Sequence, residues 1–195
     1  VTFDVDIIEI EEGVIYVLAT NSDNHLGGDD FDERIVNFLI DVIKKEHHVD
    51  VRKDFTAFQR VKEAAEQAKK ELSTSENSYI TLPYLMQWRG DIINFEYTLS
   101  RAKFNELTRD LVERTEIPVL NALKDAGIST SELSKVLLVG GSTRIPAVQE
   151  KVRELTGIIP SKNINPDECV AQGAAIQGDI LSDGSIALYN KGKSI

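Results

Sequence analysis

Two pairs of adjacent glycines, Gly27-Gly28 and Gly140-Gly141, each stand between an apolar stretch and a helix-like pattern. A glycine pair in that setting lets backbone N–H groups approach an anion, or lets a flat ligand lie where a Cβ would intrude. The second pair follows the run Val136-Leu137-Leu138-Val139 and leads through Ser142 and Arg144 to Pro146. Its spacing matches neither GxxxxGK[ST] nor GxGxxG, and a tight turn with no ligand has the same outline. The first pair, within His25-Leu26-Gly27-Gly28-Asp29-Asp30, is rimmed by carboxylates and reads equally as a plain turn.

Glu66, Lys69, Lys70 and Ser73 stand at i, i+3, i+4 and i+7, one strip of a helix that flanks its apolar stripe. Such a strip carries the groups to read a ribose and a base, although spacing alone favours an ordinary Glu66 to Lys70 helix pair. Asp4, among apolar neighbours on the first strand, suits a water bound to a metal ion, or a charge that keeps an edge strand from aggregating. His47-His48 with Asp50 falls at the solvated end of a helix with no further cluster of ligands, which argues against a metal there. Cys169 has no histidine base in its neighbourhood and reads as a small packed residue. No nucleophile elbow occurs, so a Ser-His-Asp hydrolase is not indicated.

The elements that would carry these residues alternate between strand and helix. VTFDVDIIEI and VIYVLATN, joined through Glu11-Glu12-Gly13, predict a hairpin. Phe31, Ile35, Phe38, Leu39, Val42 and Ile43 have helical spacing. A second helix is expected from about Asp54 to Ser73, with Phe55, Phe58, Val61, Ala65, Ala68 and Leu72 on its core side. Tyr79 to Thr98 reads as a second hairpin around Arg89-Gly90-Asp91. Ser100 then caps a helix that bends before Pro118 and stops near Gly127. The continuous run Lys135 to Val139 predicts a strand covered on both faces. Pro146 opens the next helix, and Asn165-Pro166-Asp167-Glu168 supplies a cap, a first-turn proline and two acids for the last. The class is α/β with α+β elements, and the tail from Ser182 onward is expected to fray.

Composition limits the function. The 195 residues, 42% of them hydrophobic, suffice for one sizeable domain or two small ones. A formal net charge of -10 speaks against nucleic acid, which needs a basic face. One cysteine and no run approaching a membrane span fit a cytoplasmic chain without a membrane partner. The only methionine is Met86, and the chain reads as an excised fragment.

VTFDVDIIEI, VLATNSDNHLGGDDFDERIVNFL, QRVKEAAEQAKKELS, LVGGSTRIPAVQEKV and NINPDECVAQGAAIQGDIL together resemble the nucleotide-binding domain of the seventy-kilodalton heat-shock chaperones, the DnaK-like family. The resemblance runs from Val1 to Leu181, with five motifs in family order. It implies an actin-like, ribonuclease-H-like ATPase lobe with an inserted α+β subdomain, the second of the two lobes that close around ATP. Residues 1–27 and 109–182 would form the base of that lobe, residues 28–108 the inserted outer subdomain, and residues 183–195 a flexible tail.

The same resemblance implies the site. Gly140 and Gly141 would hold the ribose and α-phosphate side of ATP or ADP, with Ser142 and Arg144 at the adenine. Glu66, Lys69, Lys70 and Ser73 would close the nucleoside pocket, joined by Gly28, Ile145 and Asp167. Thr2 and Asp4 would face the phosphates and magnesium, Asp4 through water. Lys70 replaces an arginine found in many eukaryotic members, so the adenine sandwich should be weaker. No catalytic set is complete, and a lone second lobe is expected not to turn over ATP. Partners implied are adenine nucleotide, the first lobe, a nucleotide-exchange factor and J-domain co-chaperones. Alternatives are a protein-interaction module that docks an exchange factor, or a lobe of another actin-like ATPase or sugar kinase.

Overall fold

The computed structural model describes residues 2–12, 14–161 and 165–182. In chain order the elements are β1 (Phe3–Glu11), β2 (Val14–Asp23), α1 (Gly28–His47), α2 (Phe55–Glu71), β3 (Asn77–Trp88), β4 (Asp91–Ser100), α3 (Arg101–Arg114), α4 (Glu116–Ala126), α5 (Pro146–Thr156) and α6 (Cys169–Ser182). This is the α/β mixture that the sequence predicts. The chain divides into two compact units, one of residues His25–Glu113, the other of Thr2–Asn24 with the described residues from Arg114 onward.

In the first unit α1 packs against α2. Phe31, Ile35, Leu39 and Ile43 are buried as their spacing requires, and Val36 and Ile40 join them, while Phe38 is only partly covered. Phe38 instead meets the Tyr97 ring edge-on at 5.4 Å and carries Lys103 over its own ring at 5.3 Å. The α2 helix starts where Asp54 accepts the Ala57 N–H at 2.9 Å, as an N-cap does. Its buried side is Ala57, Val61, Ala65, Ala68 and Leu72, small enough for the two helices to approach closely. Phe55 corrects the sequence reading, for it is 82% exposed. It lies two residues before Ala57, about 200° around a helix turning 100° per residue, so it faces away from the stripe.

The β3–β4 hairpin buries Ile80, Leu82, Phe95 and Leu99 on one face, and β3 packs against α2. Arg89 and Gly90, at φ 53° and 93°, make the two-residue turn whose twist matches that of the strands. Pro83 cannot donate to a ladder, and the register shifts between Leu82 and Met86; Arg60 takes up the Pro83 and Tyr84 carbonyls, each at 2.8 Å. Arg101 does the same at the end of α2, donating to the Leu72 and Ser75 carbonyls at 2.8 Å each. Ser100 accepts the Lys103 N–H at 3.1 Å, as its capping role predicts. The bend expected before Pro118 falls at Thr115, because Pro118 has no N–H for the carbonyl of Arg114 and its ring crowds that group.

In the second unit β1 and β2 pair antiparallel, with Glu12 left-handed at φ 50° in the turn. Phe3, Val5, Ile7 and Ala19 pack on Val119, Ala122 and Leu123 of α4. A bulge between Ile7 and Ile8 shifts the register, and beyond it Ile8, Ile10, Ile15 and Val17 are exposed. Lys151 on α5 pairs with Glu116 on α4 at 2.8 Å. Gly157 closes α5 at φ 73° and Gly127 closes α4 at φ 70°, both left-handed caps.

The strand expected over Lys135 to Val139 does not form as such. Its one pairing among the described residues is a parallel bridge from Leu137 to Ser161, and Leu137 and Val139 are 44% and 48% exposed. A continuous apolar run encodes burial on two faces but not the neighbouring strands that complete a ladder. Most of the tail read as fraying, residues 183–195, lies outside the described residues.

Candidate functional site

The Gly140-Gly141 turn is built on conformation before chemistry. Gly140 takes φ 89° and ψ 150°, a region that side chains strain to enter. Its N–H donates to the Pro166 carbonyl at 2.7 Å, and its own carbonyl accepts the Thr143 hydroxyl at 2.6 Å and the Thr143 N–H at 3.1 Å. Gly141–Arg144 then coil as a short 3-10 turn, and Pro146 opens α5. Gly141 is needed for another reason: a Cβ there would come within 3.0 Å of Asp167 Oδ1. The turn around Asn165 to Asp167 is thus packed directly on the glycines.

Arg144 ties the two turns together. Its Nε donates to Asp167 Oδ2 at 2.9 Å and its Nη2 to Asn165 Oδ1 at 2.9 Å, with a further contact from Nη2 to Asp167. The side chain stays 48% exposed, so the guanidinium is held yet open to a ligand. Ile145 is buried and offers its backbone rather than its side chain, and Ser142 is half-buried beside it. No acceptor among the described residues takes the N–H of Gly141 or Ser142, which leaves two donors at the turn for an anion. Gly140, Gly141, Ser142, Arg144, Ile145 and Asp167 therefore form one cluster in the second unit. Asn165 belongs to it as well; the sequence marks it only as a helix cap, because its tie to Arg144 spans 21 residues.

Asp4 lies on β1 of the same unit and Thr2 just before it, the Thr2 hydroxyl donating to Asp4 Oδ2 at 2.7 Å. Both are exposed. Among the described residues no group of three His, Cys, Asp or Glu converges to grip a metal ion. A magnesium ion met by Asp4 would keep most of its waters, the usual habit of that ion.

In the first unit the α2 strip divides. Glu66 and Lys70 form an exposed i,i+4 pair at 2.6 Å, which holds Glu66 below and Lys70 above their ordinary pKa values. Lys69 turns inward, donating to Asp32 Oδ2 at 2.7 Å and to the Gly28 carbonyl at 3.2 Å. Ser73 donates back to the Lys69 carbonyl at 3.4 Å. Gly28, Lys69 and Ser73 are thus linked, with Glu66 and Lys70 on the next turn face. Asp32 is the residue that sequence reasoning missed. Burial pushes its carboxyl up despite the Lys69 contact, and its Oδ1 has no hydrogen-bond partner among the described residues. Cys169 is partly buried at the start of α6, its thiol 3.7 Å from the Pro166 carbonyl, as a packed residue.

No helix among the described residues is long and apolar enough to cross a membrane. A family model described as Hsp70 protein matches residues 1–188.

Proposed function

The chain belongs to the Hsp70 family of chaperone ATPases, which share the actin-like ATPase fold and bind ATP or ADP with magnesium, and on that premise we propose that it is the ATP/ADP-binding second lobe of a DnaK-like chaperone. The single observation that carries the reading is the Gly140–Arg144 turn, a glycine-only backbone with an anchored, half-exposed guanidinium and two open N–H donors. Arg144 would stack on the adenine, Gly140 and Gly141 would line the ribose and α-phosphate, and Ser142, Ile145 and Asp167 would border them. Gly28, Glu66, Lys69, Lys70 and Ser73 would be the nucleoside-binding groups of the outer subdomain taken by itself, residues 28–108; residues 1–27 and 109–182 would form the base.

Bound magnesium supplies charge neutralisation at the phosphates. Asp4 would meet it through water, with Thr2 beside it on the phosphate side, and their exposure leaves room for that water shell. The chain would work in the cytoplasm with a first lobe, a nucleotide-exchange factor and J-domain co-chaperones.

Titration calorimetry with ADP tests the reading. Saturable heat is expected, and Arg144→Ala should weaken affinity by about 1–2 kcal/mol, the size of a partly desolvated cation–π contact. No saturable heat would favour a docking module instead, and an unchanged affinity in the variant would place the base elsewhere.

A further inference from the structure

We infer that Asn165 is a positioning residue for nucleotide recognition, fixing the plane of the Arg144 guanidinium; the inference rests on the nucleotide reading of the Gly140–Arg144 turn. A guanidinium donates its hydrogen bonds in its own plane. Partners at Nε and Nη2 therefore set the plane and leave both flat faces to a base. Arg144 has such partners, Asp167 Oδ2 and Asn165 Oδ1, each at 2.9 Å. An arginine 48% exposed and without them would sample many rotamers, and ordering it on binding would weaken affinity.

Asn165 acts at two points. The same Oδ1 that receives Arg144 also accepts the Asp167 N–H at 3.2 Å, so it steadies the second anchor as well. The start of α6 depends on this side chain only in part, since the Glu168 and Cys169 N–H groups go to the Asn165 backbone carbonyl at 3.2 and 3.1 Å. Removing the side chain should thus loosen Arg144, which then keeps only Asp167 Oδ2 as partner at Nε and Nη2, while the backbone bonds still hold the helix start. An aspartate at 165 would keep the acceptor and should restore the plane.

Two readouts test this in the 195-residue chain. Without ligand, the Arg144 Nε–H signal in NMR should exchange with water several-fold faster in Asn165→Ala and return towards the original rate in Asn165→Asp, as expected when a local hydrogen-bonded arrangement opens. With ADP, Asn165→Ala should weaken affinity about tenfold in the unsubstituted background, but change it less than about twofold once Arg144→Ala is present, since residues acting through one another are not additive. Equal losses in both backgrounds would mean a structural role and overturn the inference, as would an unchanged Nε–H exchange rate. Absence of ADP heat in the unsubstituted chain would remove the nucleotide reading itself and the recognition role with it. The exchange rate would still decide whether Asn165 holds Arg144.

Discussion

Replacing Gly140 by alanine separates backbone strain from steric contact, because a Cβ built at this glycine meets no atom within 4 Å. The cost must then come from the conformation itself, φ 89° and ψ 150°. A side chain held in that region costs about 1–3 kcal/mol. Restricting the unfolded chain returns about 0.4–1 kcal/mol. Gly140→Ala should therefore destabilise by about 1–2 kcal/mol, a fall in midpoint of about 2–8 °C for a chain of this size. If the turn relaxes instead of bearing the strain, it gives up the Gly140 N–H bond to Pro166 at 2.7 Å and the Thr143 hydroxyl bond at 2.6 Å, a loss of similar size.

Either route disturbs the turn proposed to bind ADP, so calorimetry should show weaker ADP binding alongside the thermal shift. Gly157→Ala serves as the control. That glycine is also left-handed, at φ 73° with open space around it, but it caps α5 away from the turn. It should lose about 1–2 kcal/mol of stability with ADP affinity intact. Wild-type stability and ADP affinity in Gly140→Ala would refute the argument that this turn is conformationally glycine-only and functionally coupled.

Two further outcomes follow from the first unit. Lys69→Met should cost about 2 kcal/mol in urea unfolding, less than the roughly 3–5 kcal/mol of a fully buried pair, since the two side chains keep 14% and 19% exposure. Adding Asp32→Asn should recover part of it, and a double variant no better than the single one would show that Asp32 is not the stranded charge. Glu71, held by Gln67 first and Ser78 second, sits below its ordinary value of 4.5. Its contribution is complete above that pH and disappears as pH falls through the lowered folded value. Glu71→Gln should therefore lose stability at neutral pH and flatten the decline below 4.5, and an acid slope equal to that of the unsubstituted chain would contradict the assignment.

Local signals were readable where one element contained both partners. The Arg89-Gly90 turn, the Ser100 cap and the Phe31 to Ile43 stripe each depend on neighbours a few residues away. Phe55 misled because apolar type was weighed above its angular position on α2. The Lys135 to Val139 run misled because a ladder needs strands that the run itself does not contain. In the candidate site the glycine pair and the α2 strip were visible from type and spacing, and resemblance alone attached a nucleotide to them. Asp32 was invisible and Asn165 was read only as a helix cap, since Asp32 meets Lys69 across 37 residues and Asn165 meets Arg144 across 21. Only folding brings those groups together.

The most direct measurement of the central claim is an ADP titration of the isotope-labelled chain followed by amide NMR shifts. The account predicts saturable changes centred on Gly140 to Ile145 and Asp167, with a second set at Gly28 and along Glu66 to Ser73. Shifts centred elsewhere, or none at a high excess of ADP, would contradict it.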